Sequence, residues 1–332
     1  MRAAVLVTGG AGFVGSHACK ALAAAGFLPV TYDNLSQGHR WAMRWGPLEI
    51  GDIEDRDRLQ QVMDRYRPVA VMHFAALIAA GESVAQPGKY YRNNVSRFLV
   101  LLDAMQRQKI DRIVFSSTAA VYGTPERTPI DEKHPLAPIN PYGTSKLMGE
   151  RILQDYAAAH GLRSIALRYF NAAGADPDGE IGESHEPETH LIPIVLEAAA
   201  GDRPHVAVFG ADYPTADGTC VRDYVHVADL AAAHVLALTR LESAHGAEAF
   251  NLGNGNGFTV REVIAAAERV SGTKIAVKLE PRRAGDPPVL VADASRARTE
   301  LNWQPAYSDL DTQIGNAWRW TQGWSRRQAV GR

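Results

Sequence analysis

Tyr142-Gly143-Thr144-Ser145-Lys146 sets a phenol and an ammonium four residues apart, on one helical face if the segment is helical. A neighbouring Lys⁺ favours phenolate, lowering a pKa normally near 10 toward the range where tyrosine serves as a base. With 11 tyrosines the spacing arises by chance only about 0.2 times in such a chain, so it is moderately specific alone. Upstream, the apolar run Ile113 to Phe115 predicts a strand ending in Ser116-Ser117-Thr118. Hydroxyls at a strand's carboxyl end sit where open α/β sheets bind ligands.

These groups need a scaffold, and the amino-terminal stretch supplies one. Ala3 to Val7 is an unbroken apolar run, as in a strand covered on both faces. It leads through Gly9-x-x-Gly12-x-x-Gly15 into an Ala-rich segment, Phe13 to Ala25, with helical spacing. Gly9 permits the tight turn, Gly12 lets backbone approach a pyrophosphate, and Gly15 lets helix pack on strand. The helix amino end then faces the phosphates. A second apolar run, Pro29 to Tyr32, ends in Asp33, placed about where such units put a carboxylate on a ribose 2'-hydroxyl. Asn34, Leu35 and Ser36 follow with no arginine, so the expected cofactor is NAD.

The bulk properties fit a small-molecule enzyme. The chain has 332 residues, enough for a substantial core. A net charge of -2 without long like-charge blocks argues against nucleic-acid or membrane-surface binding. Cys19 and Cys220 are far apart and read as buried thiols. No secretory leader and no 18-residue apolar run is evident, so the expected location is the cytoplasm.

In chain order, Leu48 to Ile50 is a strand candidate, and Asp52 is a candidate adenine contact; equally, Asp52 or Asp55 caps the helix through Leu59, Val62 and Met63, the preferred reading. Val69 to His73 predicts a buried strand whose small residues after Phe74, Ala75 and Ala76, leave room for a cofactor. Tyr90 to Gln108 shows helical periodicity, Pro125 to Pro141 reads as a loop, and Ser164 to Tyr169 makes a sixth strand. Strand and helix alternate through this half, which predicts a Rossmann-type, doubly wound parallel α/β sheet. The expected division is 1–173 for the NAD-binding domain and 174–332 for a smaller mixed α/β substrate domain, with part of 225–255 returning to the sheet. His185 and His190 lack a Cys or a second paired His nearby and read as loop residues, with no metal expected.

The glycine loop, Thr118 and Tyr142-x-x-x-Lys146 together resemble the extended short-chain dehydrogenase/reductase superfamily. Val121-Tyr122-Gly123, Arg168-Tyr169-Phe170-Asn171, Val221-Arg222-Asp223-Tyr224, Asn251-Leu252-Gly253 and Arg282-Arg283-Ala284-Gly285-Asp286 extend the likeness, nearly along the full chain, to the UDP-glucose 4-epimerase family. That resemblance implies that Tyr142, as phenolate, takes the sugar 4-hydroxyl proton while C4 hands a hydride to NAD, and that the 4-keto sugar turns over before the hydride returns. Thr118 would relay the proton and Lys146 would hold the nicotinamide ribose. It further implies NAD contacts by Gly9, Gly12, Phe13, Val14, Gly15, Asp33, Asn34, Asp52, Ile53, Phe74, Ala75, Ala76, Asn94, Ser116 and Tyr169. UDP-sugar contacts fall to Asn171, His190, Leu191, Val206, Val208, Phe209, Arg222, Arg283, Asp286 and Leu290, and the family often forms homodimers through the Asn93–Gln108 and Tyr142–His160 helices.

Two positions depart from the family pattern. His190 stands where many members have asparagine, and Leu290 stands where tyrosine is common in members restricted to glucose and galactose. Leucine is smaller, so room for a 2-acetamido group is expected. The rival readings are a dehydratase or decarboxylase on the same scaffold, a net reductase that releases its cofactor, and a dinucleotide-binding redox sensor. Elimination needs an extra acid/base before Val121-Tyr122-Gly123, where this chain has Ala119 and Ala120. A sensor would tend to have lost the Tyr/Lys pair.

Overall fold

The computed structural model describes residues 2–283 and 286–330; Ala284 and Gly285 of the Arg282–Asp286 motif lie outside the described residues. Strand β1 (Ala4–Thr8) is buried along its whole length. Its side chains divide between two cores, as the two-residue period of a strand requires. Val5 and Val7 pack with Ala18, Cys19 and Leu22 of helix α1 (Phe13–Ala24). Leu6 faces the other way, with Val30 of β2 (Leu28–Asp33) and Leu59, Val62 and Met63 beyond it.

The chain continues through β3 (Leu48–Ile50), α2 (Arg56–Tyr66), β4 (Ala70–His73), α3 (Ala80–Ala85), α4 (Pro87–Tyr91) and α5 (Arg97–Arg107). Then come β5 (Arg112–Thr118), α6 (Pro141–His160) and β6 (Arg163–Tyr169). Asp55 is the α2 cap, accepting the Arg58 amide at 3.0 Å. The periodic segment 90–108 is interrupted by a π-helical turn, Arg92–Ser96. There Asn94 accepts the Leu77 amide at 2.9 Å and donates to the Ser145 hydroxyl at 3.0 Å, so the π-helical turn carries a side chain that ties its neighbours together. The strand predicted over 113–115 reaches Thr118, because Ser116, Ser117 and Thr118 stay in parallel register with Leu167, Arg168 and Tyr169.

Beyond β6 lie β7 (Asn171–Ala173), α7 (Leu191–Ala200), β8 (Val206–Phe209), β9 (Val221–His226), α8 (Val227–Arg240) and β10 (Ala247–Leu252). The remainder is β11 (Gly257–Thr259), α9 (Val260–Ser271), β12 (Val277–Glu280), β13 (Val289–Leu290), α10 (Ser295–Glu300) and α11 (Leu310–Val330). The main sheet runs β10-β6-β5-β4-β1-β2-β3, parallel throughout. Strand order reverses between β1 and β4, and a crevice opens beyond their carboxyl ends at such a switch point. A smaller sheet gathers β11, β13 and β7 around β9, while β8 pairs with β12. Its core joins Val195 and Leu196 of α7 to Val206, Val208, Val263 and Ile314.

Candidate active site

The glycine loop lies on the switch point. Gly9 has φ +74°, and a Cβ there would lie 2.5 Å from the Ala75 amide nitrogen; one on Gly15 would lie 2.3 Å from the Gly9 carbonyl oxygen. Gly12 differs, since its Cβ would meet only the Gly9 carbonyl oxygen, at 3.4 Å. Open space above Gly12, at the amino end of a helix with no side-chain cap and no acidic residue in its first turn, fits an anionic group such as a pyrophosphate. The residues present therefore fit a dinucleotide.

Asp33 closes one side of this cradle. Its two oxygens accept the Ala11 and Leu35 amides at 2.9 and 2.8 Å. Burial nonetheless raises the carboxyl above its usual value, against the pull of those amides. Asn34 donates to Asp52 at 2.9 Å, linking the ends of β2 and β3, while Ile53 is buried in the core below. On the other side the Phe74 and Ala75 amides bond the Thr8 carbonyl at 2.8 and 3.1 Å, and the Ala76 position follows. Phe13 meets His17 edge-on, and Val14 packs into the α1 core.

Tyr142 and Lys146 stand on the first turns of α6, whose start is fixed by Pro141 and by Asn140 accepting the Gly143 amide at 2.9 Å. Burial raises the Tyr142 phenol, and a hydrogen bond with Thr118 opposes it. Thr118 is itself placed by the turn that follows β5, where its hydroxyl accepts the Ala120 amide at 3.2 Å. Lys146 is fully buried and donates to the Ser116 carbonyl at 2.7 Å. Burial brings its ammonium down to about 7, against the attraction of Glu150 one turn on. In the protein alone desolvation dominates the phenol, and the lysine proton is engaged by a backbone carbonyl. The Ser116 hydroxyl bonds the Tyr169 hydroxyl, lining the ends of β5 and β6 together.

Beneath these groups runs a network that sequence reasoning missed. Arg168 and Glu150 form a buried ion pair at 2.5 Å, Ser117 donates to Glu150, and Arg168 also donates to the Tyr122 hydroxyl at 3.0 Å. Tyr122 in turn donates to Asn251 at 2.7 Å. These bonds fix β5, β6, β10 and α6 relative to one another.

Across the crevice the smaller sheet gathers the predicted cations. Arg222 on β9 donates to the Pro287 carbonyl at 2.9 Å and reaches Asp286 at 3.4 Å; Arg283 reaches the other Asp286 oxygen at 2.9 Å and lies over the Phe209 ring at 4.9 Å. Leu290 on β13 pairs with Arg222 in register and packs beside Tyr122 and Phe170. Asn171 donates to the Asp223 carbonyl at 3.1 Å. Asp223, next to Arg222 in the chain, is buried, pushed up to about 6 by desolvation, and accepts the Asn254, Gly255 and Ala292 amides. Val206 and Val208 require a correction. Strand alternation turns both into the core, leaving Ala207 and Phe209 on the other face.

His190 caps α7 with no side-chain cap bond, and Leu191 follows half-buried. The structure brings His190 together with three residues unmatched by the sequence motifs. Its Nδ1 lies 2.9 Å from both Glu183 and Glu188, and the His185 Nδ1 lies 3.2 Å from Glu183. Burial works to lower both imidazoles, but the two glutamates win, raising His185 to about 9 and His190 to about 10.

Comparison with known proteins agrees with this geometry. Residues 5–253 match the model of the NAD dependent epimerase/dehydratase family. The chain is 53% identical over 316 residues to a UDP-glucose 4-epimerase of Rhizobium meliloti (strain 1021), covering 95% of this chain and 96% of that protein. The crystal structure of a UDP-glucose 4-epimerase from Brucella ovis in complex with NAD superposes with TM-score 0.93 at 54% identity, covering 95% and 97% of the two chains. A UDP-Glc/GlcNAc 4-epimerase from Campylobacter jejuni superposes with TM-score 0.85 at 41% identity, covering 97% and 99%. With its glycine cradle, Tyr/Lys pair and near-complete coverage by these relatives, the chain belongs to the NAD dependent epimerase/dehydratase family.

Proposed function

We propose that the chain catalyses NAD-dependent epimerisation at C4 of a UDP-hexose, interconverting UDP-glucose and UDP-galactose. The observation that carries the reading is the Tyr142/Lys146 pair on the first turns of α6, with Lys146 tied to the Ser116 carbonyl at the carboxyl end of β5, where Thr118 lies. When bound, NAD supplies the hydride acceptor for C4 and a positive ring charge that favours phenolate. Gly9, Gly12 and Gly15 would hold the dinucleotide's pyrophosphate, Asp33 its adenosine ribose, and Lys146 the nicotinamide ribose.

Tyr142 accepts the proton of the sugar 4-hydroxyl and later returns it, with the Thr118 hydroxyl as relay. Arg222 and Arg283 grip the diphosphate with guanidinium forks already gathered around Asp286. The uridine ribose falls to Asp286 and the uracil to the edge of β8. Residues 1–173 form the cofactor domain and 174–332 the substrate domain, with β10 adding a strand to the cofactor sheet. The elimination alternative is disfavoured by Ala119 and Ala120, whose methyl groups move no protons. No described helix is long and apolar enough to cross a membrane. Pairing with a second copy would use α5 and α6, which leave Leu99 and Met148 exposed.

A wider substrate range is part of the proposal. Leu290 leaves the sugar pocket without a tyrosine ring, and the Campylobacter jejuni relative is described as acting on both Glc and GlcNAc forms. Incubation with UDP-galactose and, separately, UDP-N-acetylgalactosamine, followed by separation of the nucleotide sugars, tests both parts. The expected result is conversion of each to its 4-epimer with no net change in free NADH. A keto or dehydrated product, or NADH formed in proportion to sugar consumed, would refute the epimerase reading; an inert N-acetylated sugar would refute the wider range.

A further inference from the structure

We propose that Glu183, His185, Glu188 and His190 form a four-ligand site for a divalent transition-metal ion of zinc's size, which pins the loop ahead of α7. The four candidate ligand atoms all lie within 4.8 Å of one another. One Glu183 oxygen lies 3.2 Å from the His185 Nδ1 and 2.9 Å from the His190 Nδ1, while Glu188 meets His190 through one oxygen at 2.9 Å and His185 through the other at 3.6 Å. Zinc bonds to imidazole and carboxylate run near 2.0–2.1 Å, and a tetrahedron built on them has edges of about 3.3 Å. Small side-chain adjustments therefore bring the four ligand atoms to the required size. Two imidazoles with two carboxylates are also a donor set suited to zinc and its transition-metal neighbours.

A second acidic group nearby shows what distinguishes this one. Asp176, Asp178 and Glu180 also converge, but the Lys20 ammonium occupies their centre at 2.7–2.8 Å. Among the described residues the ion-pair partners of Glu183 and Glu188 are the two histidines alone. The His185 Nδ1 is buried yet makes no well-aligned hydrogen bond, despite its nearness to Glu183. Backbone at the start of the loop is anchored, with the His39 ring donating to the Ser184 carbonyl at 2.8 Å and the Trp320 indole to the Glu183 carbonyl at 3.0 Å. Binding of the ion takes both imidazoles as neutral ligands, and any proton on a coordinating nitrogen leaves to solvent.

The site shares His190 with the UDP-sugar contacts that the family resemblance implies, so the inference is tested by metal binding and not by turnover. The purified chain, stripped of metal with a chelator, is titrated with Zn²⁺ against a chromophoric zinc indicator and, separately, with Co²⁺ followed by visible absorption. One ion per chain and the intense bands of tetrahedral Co²⁺ are expected. His185→Ala and Glu188→Gln should each weaken binding roughly 100-fold or more, while substitution of the exposed His245 by alanine should leave it unchanged. Circular dichroism of each variant separates ligand loss from unfolding. Binding well below one ion per chain, weak octahedral Co²⁺ bands, or equal affinity in folded His185→Ala and Glu188→Gln would overturn the site.

Discussion

His73 and His234, beside the cofactor crevice, and His185 and His190, in the loop ahead of α7, hold the same side chain in opposite states. Burial against apolar neighbours pushes the first two down to about 3 and 4. In the loop two glutamates overcome burial and push the other pair up to about 9 and 10. The crevice is built from packed strands whose polar groups also tie neighbouring elements together, as with Asn94, Ser117 and Lys146. The substrate side gathers charges around one carboxylate, as with Arg222 and Arg283 on Asp286. One region should therefore answer substitution with lost stability, and the other with lost binding.

Arg168→Met should break this contrast most visibly. It leaves Glu150 charged and buried without its partner, a loss of about 3–5 kcal/mol that denaturant unfolding would measure. A loss below roughly 1 kcal/mol would mean that the network beneath the crevice does not hold it together.

Acid comes next. His17, His73, His226 and His234 all titrate below the ordinary 6.5 when folded, near 3 to 4. Between about pH 6.5 and 4 the unfolded chain binds more protons, so stability falls as pH drops, by up to about 1.4 kcal/mol per pH unit for each histidine. A pH series of unfolding midpoints that stays flat across this window would contradict the buried, neutral state of these rings. Smallest in stability is Arg283→Ala, because its pair with Asp286 is exposed. Its expected effect is a raised KM for the nucleotide sugar with the melting temperature nearly unchanged; a large melting shift with normal KM would reverse the comparison.

What the sequence made legible follows the same division. The β1 run, the glycine spacing and the Tyr142–Lys146 pair are local patterns, each written within a dozen residues and confined by strand or helix periodicity. The strand β9 was missed although its motif was noticed, because its partners β7, β11 and β13 are two or three residues long and carry no period of their own. Glu150 and Arg168 sit 18 residues apart on a helix and a strand, and only the packing of α6 on the sheet brings them together. Val206 and Val208 read as an apolar strand beside a ligand, yet which face of a strand is buried depends on what covers it, here α7 and α9. The loop histidines were visible, but their glutamates count as partners only once the backbone folds back on itself.

The central claim is that the Tyr142 oxygen moves the sugar's 4-hydroxyl proton, and removing that single atom tests it most directly. Tyr142→Phe, compared with the parent chain for turnover of UDP-galactose and for bound NAD, should lower kcat by roughly 10²–10⁴-fold with NAD content unchanged. A kcat near that of the parent, with NAD still bound, would contradict the account.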